Sequence, residues 1–294
     1  MAMAVSDEWP QFRKDMHYSD DSKLNTLQTC IPKPTSSNDQ SRIWVVYVHG
    51  GAWFDPEQTA TTFDKAQDIL LKSPELHRIA GFASINYRLS PASCHPTHPS
   101  NPADPARNAT HPDHINDVLS AILHLQETYR FEHRYILVAM KRYWGLNYQS
   151  TQALELNVVP PLAICGIEGL YDLPALVKYH DKLDQSLYRN FTEAAFGTSE
   201  QGWAAASPTQ GDYKANWEDG KLVVIAHSRE DELVEWEQAE LMLSCLQKQG
   251  FTESGDRRLK LLQLEGKHDQ VWKEGQEVAR AIEYTIKELV SLES

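Results

Sequence analysis

Ile43-Trp-Val-Val-Tyr-Val-His49-Gly-Gly-Ala-Trp53 is the stretch on which the fold turns. Ile43 to Val48 is an unbroken run of β-branched and aromatic residues with no polar alternation, the pattern of a strand buried on both faces of a parallel sheet. Gly50 and Gly51 follow at once. Without Cβ atoms they let successive backbone N–H groups turn toward one point, and in an open α/β fold the carboxyl edge of the sheet is where function sits. The sequence therefore predicts an anion-stabilising loop at the end of a central strand.

Working outward, Leu24 to Ile31 reads as the first strand, ended by Pro32, after a polar lead-in over residues 1–23. Thr61–Leu71 reads as a helix and Ile79–Tyr87 as a strand. A loop rich in Pro, His, Ser and Asn covers Pro91 to His111, and its His95 and His98 read as solvated. Asp113 opens an amphipathic helix with Ile115, Val118, Leu119, Ile122 and Leu125 at spacings of three and four. Strands are expected at Tyr135–Val138, Leu162–Ile167, Lys221–Ala226 and Leu259–Leu264. Helices are expected at Trp236–Gln249 and, as one closing helix, Val271–Leu292. Strands alternating with helices specify a mostly parallel sheet wrapped on both faces. We expect one domain over residues 24–294, with an irregular, partly helical, cap-like insertion around 172–216.

Charge excludes several partners. With 28 Lys and Arg against 41 Asp and Glu, the net charge is −13, which opposes binding to nucleic acid or anionic lipid. No apolar run approaches the length of a membrane span, and no signal-like segment opens the chain, so a cytoplasmic protein, not excluded from the nucleus, is expected. Cys30, Cys94, Cys165 and Cys245 are far apart, with no CxxC pair. They read as reduced structural thiols and not as metal ligands.

Two late loops carry a matching pair. Asp231 lies in His227-Ser-Arg-Glu-Asp-Glu-Leu-Val234 just after one late strand, and His268 lies in Gly266-Lys-His-Asp269 just after the next. A carboxylate and a histidine in that order suit a general base and the acid that fixes its tautomer and stabilises its cation. Glu230 and Asp269 are neighbouring acids that read as solvated loop charges.

The set HGGAW (His49, Gly50, Gly51, Ala52, Trp53), Ile85-Asn-Tyr-Arg-Leu-Ser-Pro91, His111-Pro-Asp-His-Ile-Asn-Asp117, His227 to Leu233 and Gly266 to His268 runs in order over most of the chain and resembles the fungal kynurenine formamidases. That resemblance implies an α/β-hydrolase fold and hydrolysis of N-formyl-L-kynurenine to L-kynurenine and formate, without metal or organic cofactor, by a protein compatible with a homodimer. It also implies a serine nucleophile, the HGGAW backbone as oxyanion hole, Asp231 as acid and His268 as base. Trp53, Tyr179 and Trp203 are candidate walls for the aromatic substrate.

One part departs from the family pattern. No GxSxG occurs anywhere in the 294 residues, and Lys141 stands where the serine is expected. Tyr135-Ile-Leu-Val-Ala-Met-Lys-Arg-Tyr-Trp-Gly145 runs straight on from the strand, as though the nucleophile turn and the helix behind it were lost as a block. Ser150 and Ser228 lack the flanking glycines of such a turn. The expectation is a chain impaired in catalysis and either unstable or locally rearranged near Val138–Gly145. The alternatives are a non-catalytic relative that binds an aromatic amino-acid derivative, and a broader carboxylesterase-like hydrolase.

Overall fold

A computed structural model describes residues 8–33, 41–139 and 157–293. Eight strands form one sheet: β1 (Gln11–His17), β2 (Thr26–Ile31), β3 (Ile43–Val48), β4 (Ile79–Ile85), β5 (Tyr135–Ala139), β6 (Ala163–Ile167), β7 (Leu222–Ser228) and β8 (Arg258–Leu264). Their order across the sheet is β1-β2-β4-β3-β5-β6-β7-β8. The first two pairings are antiparallel, and every pairing from β4 onward is parallel.

The apolar run of β3 is buried along its whole length and splits between two cores. Trp44, Val46 and Val48 face one, and Ile43, Val45 and Tyr47 face the other, as the period-two geometry of a strand requires. On the first face α2 (Asp113–Tyr129) buries Val118, Leu119, Ile122 and Leu125. Each such side chain contributes about 1.5–3 kcal/mol by leaving water. The second face is covered by α1 (Asp64–Leu70) and by a pair of C-terminal helices, α8 (His268–Glu274) and α9 (Gln276–Glu293). Between β6 and β7 come α3 (Leu173–Asp181), α4 (Ser186–Phe196), α5 (Glu200–Ala205) and the single turn α6 (Tyr213–Asn216), and α7 (Glu237–Lys248) precedes β8.

Three expectations need correction. The segment before Leu24 contains β1, which pairs with β2 but has only exposed or half-buried side chains. Its backbone ladder, not a buried face, makes it a strand. The closing helix is two helices, because Gly275 at φ 77° ends α8. A Cβ there would sit 2.6 Å from the backbone nitrogen of Ala66, so the chain is bent where it touches α1. The insertion over residues 172–216 is mostly regular helix, each segment opened by a side-chain cap or a proline except α4.

The expected rearrangement near Val138–Gly145 falls mainly on residues outside those described. Val138 and Ala139 themselves are fully buried and regularly paired between β3 and β6. Among the described residues no helix is long and apolar enough to cross a membrane, and the four cysteines are free thiols.

Gly275→Ala is expected to lower the unfolding free energy by about 2–4 kcal/mol, from left-handed strain plus the clash with α1. Gly250→Ala, also at positive φ but facing open space, should cost only about 1–2 kcal/mol. Urea denaturation of the two variants beside the parent checks the difference.

Candidate active site

The loop after β3 is wound left-handed at three successive residues, with φ of 88° at Gly51, 47° at Ala52 and 66° at Trp53. In any helical turn, of either hand, successive N–H groups point the same way along the axis. That accounts for a glycine at 51, where an added Cβ would stand 2.7 Å from the Cβ of Gln58. Ala52 and Trp53 hold the same conformation at a cost of about 1–2 kcal/mol each, so something must hold the loop.

The sequence motifs supply it. The Tyr87 hydroxyl lies 3.2 Å from the carbonyl of His49 and 2.9 Å from that of Gly50, and its ring stacks on the His49 imidazole. The Ser90 amide donates to the Trp53 carbonyl at 2.7 Å, and the Ser90 hydroxyl meets His114 Nε2 at 3.0 Å. Arg88 is clamped by Asp117, which takes its backbone N–H and its guanidinium together. The strings Ile85–Pro91 and His111–Asp117 thus brace the HGGAW loop, and His49 is a buried brace.

The other side of the site comes from β7 and β8. Asp231 stands in the loop after β7, its Oδ1 accepting the backbone N–H groups of Leu233 and Val234 at 2.8 Å each. Its Oδ2 lies 2.8 Å from Nδ1 of His268, the first residue of α8. A carboxylate can only accept, so Nδ1 carries the proton and Nε2 is left as the basic nitrogen. Burial works to raise the Asp231 pKa, but the hydrogen bond and charge of His268, with the two loop amides, outweigh it and hold the carboxyl below its usual range. His227, buried beneath the same loop with Nε2 3.0 Å from the Val234 carbonyl, is pushed below the usual imidazole range by burial.

Gly50, Gly51, Ala52 and His268 line one cavity of about 180 Å³. Its apolar walls are Phe54, Leu170, Leu187, Tyr188, Phe191, Leu233, Val234 and Trp272, with Asp55, Gln58 and Asp269 as polar members. None of the three aromatics named from the sequence is among them. Trp53 packs edge-on to Phe196 at 4.9 Å, Trp203 is fully buried with its indole N–H on the Gly197 carbonyl, and Tyr179 lines a different hollow, with Lys178, Arg189 and Glu200. Helical spacing on α4 places Tyr188 and Phe191 on one face, a signal that was legible.

The other candidates separate cleanly. The Ser228 hydroxyl donates to the Gly266 carbonyl at 2.6 Å and accepts from the Glu230 amide, tying the two loops together. Asp269 pairs with Lys273. Glu168, absent from the sequence reading, lies directly after β6 with Oε2 3.2 Å from His268 Nδ1. Glu168, Asp231 and His268 bring their ligand atoms within 4.8 Å of one another, a donor set that could also take a divalent cation. Lys141 and Ser150 lie outside the described residues.

A parallel sheet with an oxyanion-type loop after β3 and an acid and histidine after β7 and β8 is the arrangement of a serine-hydrolase-type enzyme. Solved structures agree on the fold. Esterase B from Lactobacillus rhamnosis superposes with a TM-score of 0.68 at 13% identity, over 99% of this chain and 90% of that one. A truncated carbohydrate esterase from gut microbiota gives 0.63 at 14%, over 96% and 99%.

Sequence comparison narrows the class. The chain is 38% identical over 280 residues to the kynurenine formamidase-like hydrolase fscH of Fusarium equiseti, covering 92% of each. It is 32% identical over 295 residues to the kynurenine formamidase avaC of Aspergillus versicolor, covering 92% of this chain and 98% of the relative. The Saccharomyces cerevisiae kynurenine formamidase matches at 27% over 238 residues. No family model matches. On these relatives the chain belongs to the kynurenine formamidase family, within the α/β-hydrolase fold.

Both shifted groups make acid destabilising. His227 in the folded chain binds fewer protons than in the unfolded chain once pH falls below the ordinary histidine value of 6.5. Stability therefore declines as pH drops from there toward the folded value. Asp231 contributes stability above the ordinary value of 3.8, lost as pH falls through its lower folded value. Urea midpoints from pH 7.5 to 3 should show a decline below pH 6.5 that His227→Gln reduces and a second decline below 3.8 that Asp231→Asn reduces, the remainder coming from other carboxyls held low, Glu277 among them.

Proposed function

We propose that this site is built for hydrolysis of N-formyl-L-kynurenine to L-kynurenine and formate, a step of tryptophan degradation in the kynurenine pathway. The observation that carries the proposal is the His268–Asp231 pair at 2.8 Å, opening on the same small, aromatic-walled cavity as Gly50, Gly51 and Ala52.

His268 Nε2 acts as general base toward the attacking oxygen and then returns the proton to the leaving aniline nitrogen. Asp231 keeps the proton on Nδ1 and stabilises the imidazolium. Amides of the Gly50–Ala52 turn stabilise the oxyanion formed at the formyl carbon. Tyr188, Phe191 and Trp272 offer a slot for the aryl ring, and Asp55 and Gln58 offer polar contacts at its rim. Neither a metal nor an organic cofactor takes part in these steps. A homodimer is compatible with the family resemblance.

The missing element is the nucleophile. Since no GxSxG is present, the chain as written is proposed to bind this substrate class with little or no turnover. Removing the serine of a triad leaves only residual catalysis from the oxyanion hole and binding.

The test compares N-formyl-L-kynurenine hydrolysis by the chain itself and by a version with a Gly-His-Ser-x-Gly turn and a following helix inserted after Val138. We expect activity in the second only, and His268→Ala in that background should reduce kcat by about 10⁴-fold or more. Full activity in the chain as written would overturn the assigned roles. Turnover of simple aryl esters but not of the formamide by the restored protein would favour a broader esterase.

A further inference from the structure

Glu168 is a buried carboxylate that neither the sequence motifs nor the proposed mechanism uses. It follows β6 directly, with its backbone N–H on the Ala226 carbonyl of β7 and φ at 48°. Its side chain is wholly buried, and Oε2 lies 3.2 Å from Nδ1 of His268, the atom that Asp231 Oδ2 meets at 2.8 Å. Three successive strands, β6, β7 and β8, therefore deliver Glu168, Asp231 and His268 to one point.

Two carboxylates brought this close in a buried site repel unless a proton or cation stands between them. Asp231 takes the imidazole Nδ1–H, and Glu168 Oε2 lies 3.2 Å from the same nitrogen without taking that N–H. Asp231 Oδ1 is already taken by the Leu233 and Val234 amides, so Asp231 offers one oxygen to the ring and Glu168 offers another. The surrounding groups complete the environment. Glu232 Oε2 accepts the backbone N–H of His268, His227 Nε2 lies 3.8 Å from Asp231 Oδ2, and the Glu168 charge is one of the influences that raise the buried Tyr171 hydroxyl, after burial itself.

We infer that Glu168 is a reserve positioning residue for the base, lying 3.2 Å from the His268 Nδ1 whose proton Asp231 takes and able to accept that proton's hydrogen bond when Asp231 is removed. No bond is made or broken by this role. The proton stays on Nδ1, the imidazole keeps the tautomer that leaves Nε2 basic, and the imidazolium formed during turnover lies against two carboxyl groups. The inference rests on the reading of His268 as the base, but its test reads the proton without turnover, so the two can fail separately.

The experiment is side-chain NMR of the whole chain with ¹⁵N-labelled histidine, the His268 Nδ1–H resonance being assigned by its loss in His268→Gln. Glu168→Gln, an isosteric change, should move that resonance. Asp231→Ala should retain it, shifted but still protected from exchange with water, and the double variant should lose it or exchange it at least ~10-fold faster. In the serine-restored protein, kcat should fall only about 10–100-fold for Asp231→Ala and by the full ~10⁴-fold for the double variant.

Loss of the resonance in Asp231→Ala while the protein still melts cooperatively would overturn the inference, as would a Glu168→Gln spectrum with the resonance unmoved. Should Asp231→Ala fail to fold, the Glu168→Gln shift decides alone.

Discussion

Burial of β3 on both faces is the constraint from which the rest of the architecture follows. A strand with Trp44, Val46 and Val48 in one core and Ile43, Val45 and Tyr47 in the other needs helices above and below. Parallel neighbours joined by crossovers place those helices there. Every crossover then returns the chain to the same edge of the sheet, so the loops after β3, β6, β7 and β8 open on one side. The chemistry gathers at that edge because topology leaves it nowhere else to converge.

Each functional group at the edge is held by something unremarkable. The strained turn of Gly51, Ala52 and Trp53 is pinned through its carbonyls by Tyr87 and Ser90. The acid loop is pinned through Ser228 to Gly266, and Asp231 is fixed by the amides of its own loop before it reaches His268. Most of the polar residues in the family-like strings thus act on backbone position. Glu168 and Asp231 both lie against one ring nitrogen, whose N–H Asp231 takes.

The sequence made the central strands legible because burial on both faces leaves an uninterrupted apolar run, as in β3, β5 and β7. β1 escaped because Gln-Phe-Arg-Lys-Asp-Met-His buries no face and leaves no periodic trace. The break between α8 and α9 escaped because Gly275 looks like an ordinary helix glycine until the backbone of Ala66 is seen against it. Asp231 and His268 were legible from their order after successive strands. Glu168 was not, since an acid following an apolar strand carries no motif, and only the register of β6 beside β7 aims it at the histidine. Trp53 and Trp203, conspicuous in sequence and readable as either wall or core, serve the core, whereas the spacing of Tyr188 and Phe191 shows a shared face but only the lie of α4 over the HGGAW loop makes that face a wall.

The bend at Gly275 closes a ring. From β3 to β8 across the sheet there are four strand spacings, about 19 Å in all, and small errors in each would accumulate between the HGGAW loop and His268. A second path bypasses the sheet: α1 lies shortly after that loop, and its Ala66 backbone abuts Gly275 at the end of the helix that His268 begins, with Lys65 Nζ donating to the Lys273 carbonyl at 2.7 Å. The separation of the two halves of the cavity is therefore fixed twice, once through the strands and once through the helices. In such a closed linkage β5 is only one of two routes, so the separation of His268 from the Gly50–Ala52 turn does not depend on the strands alone.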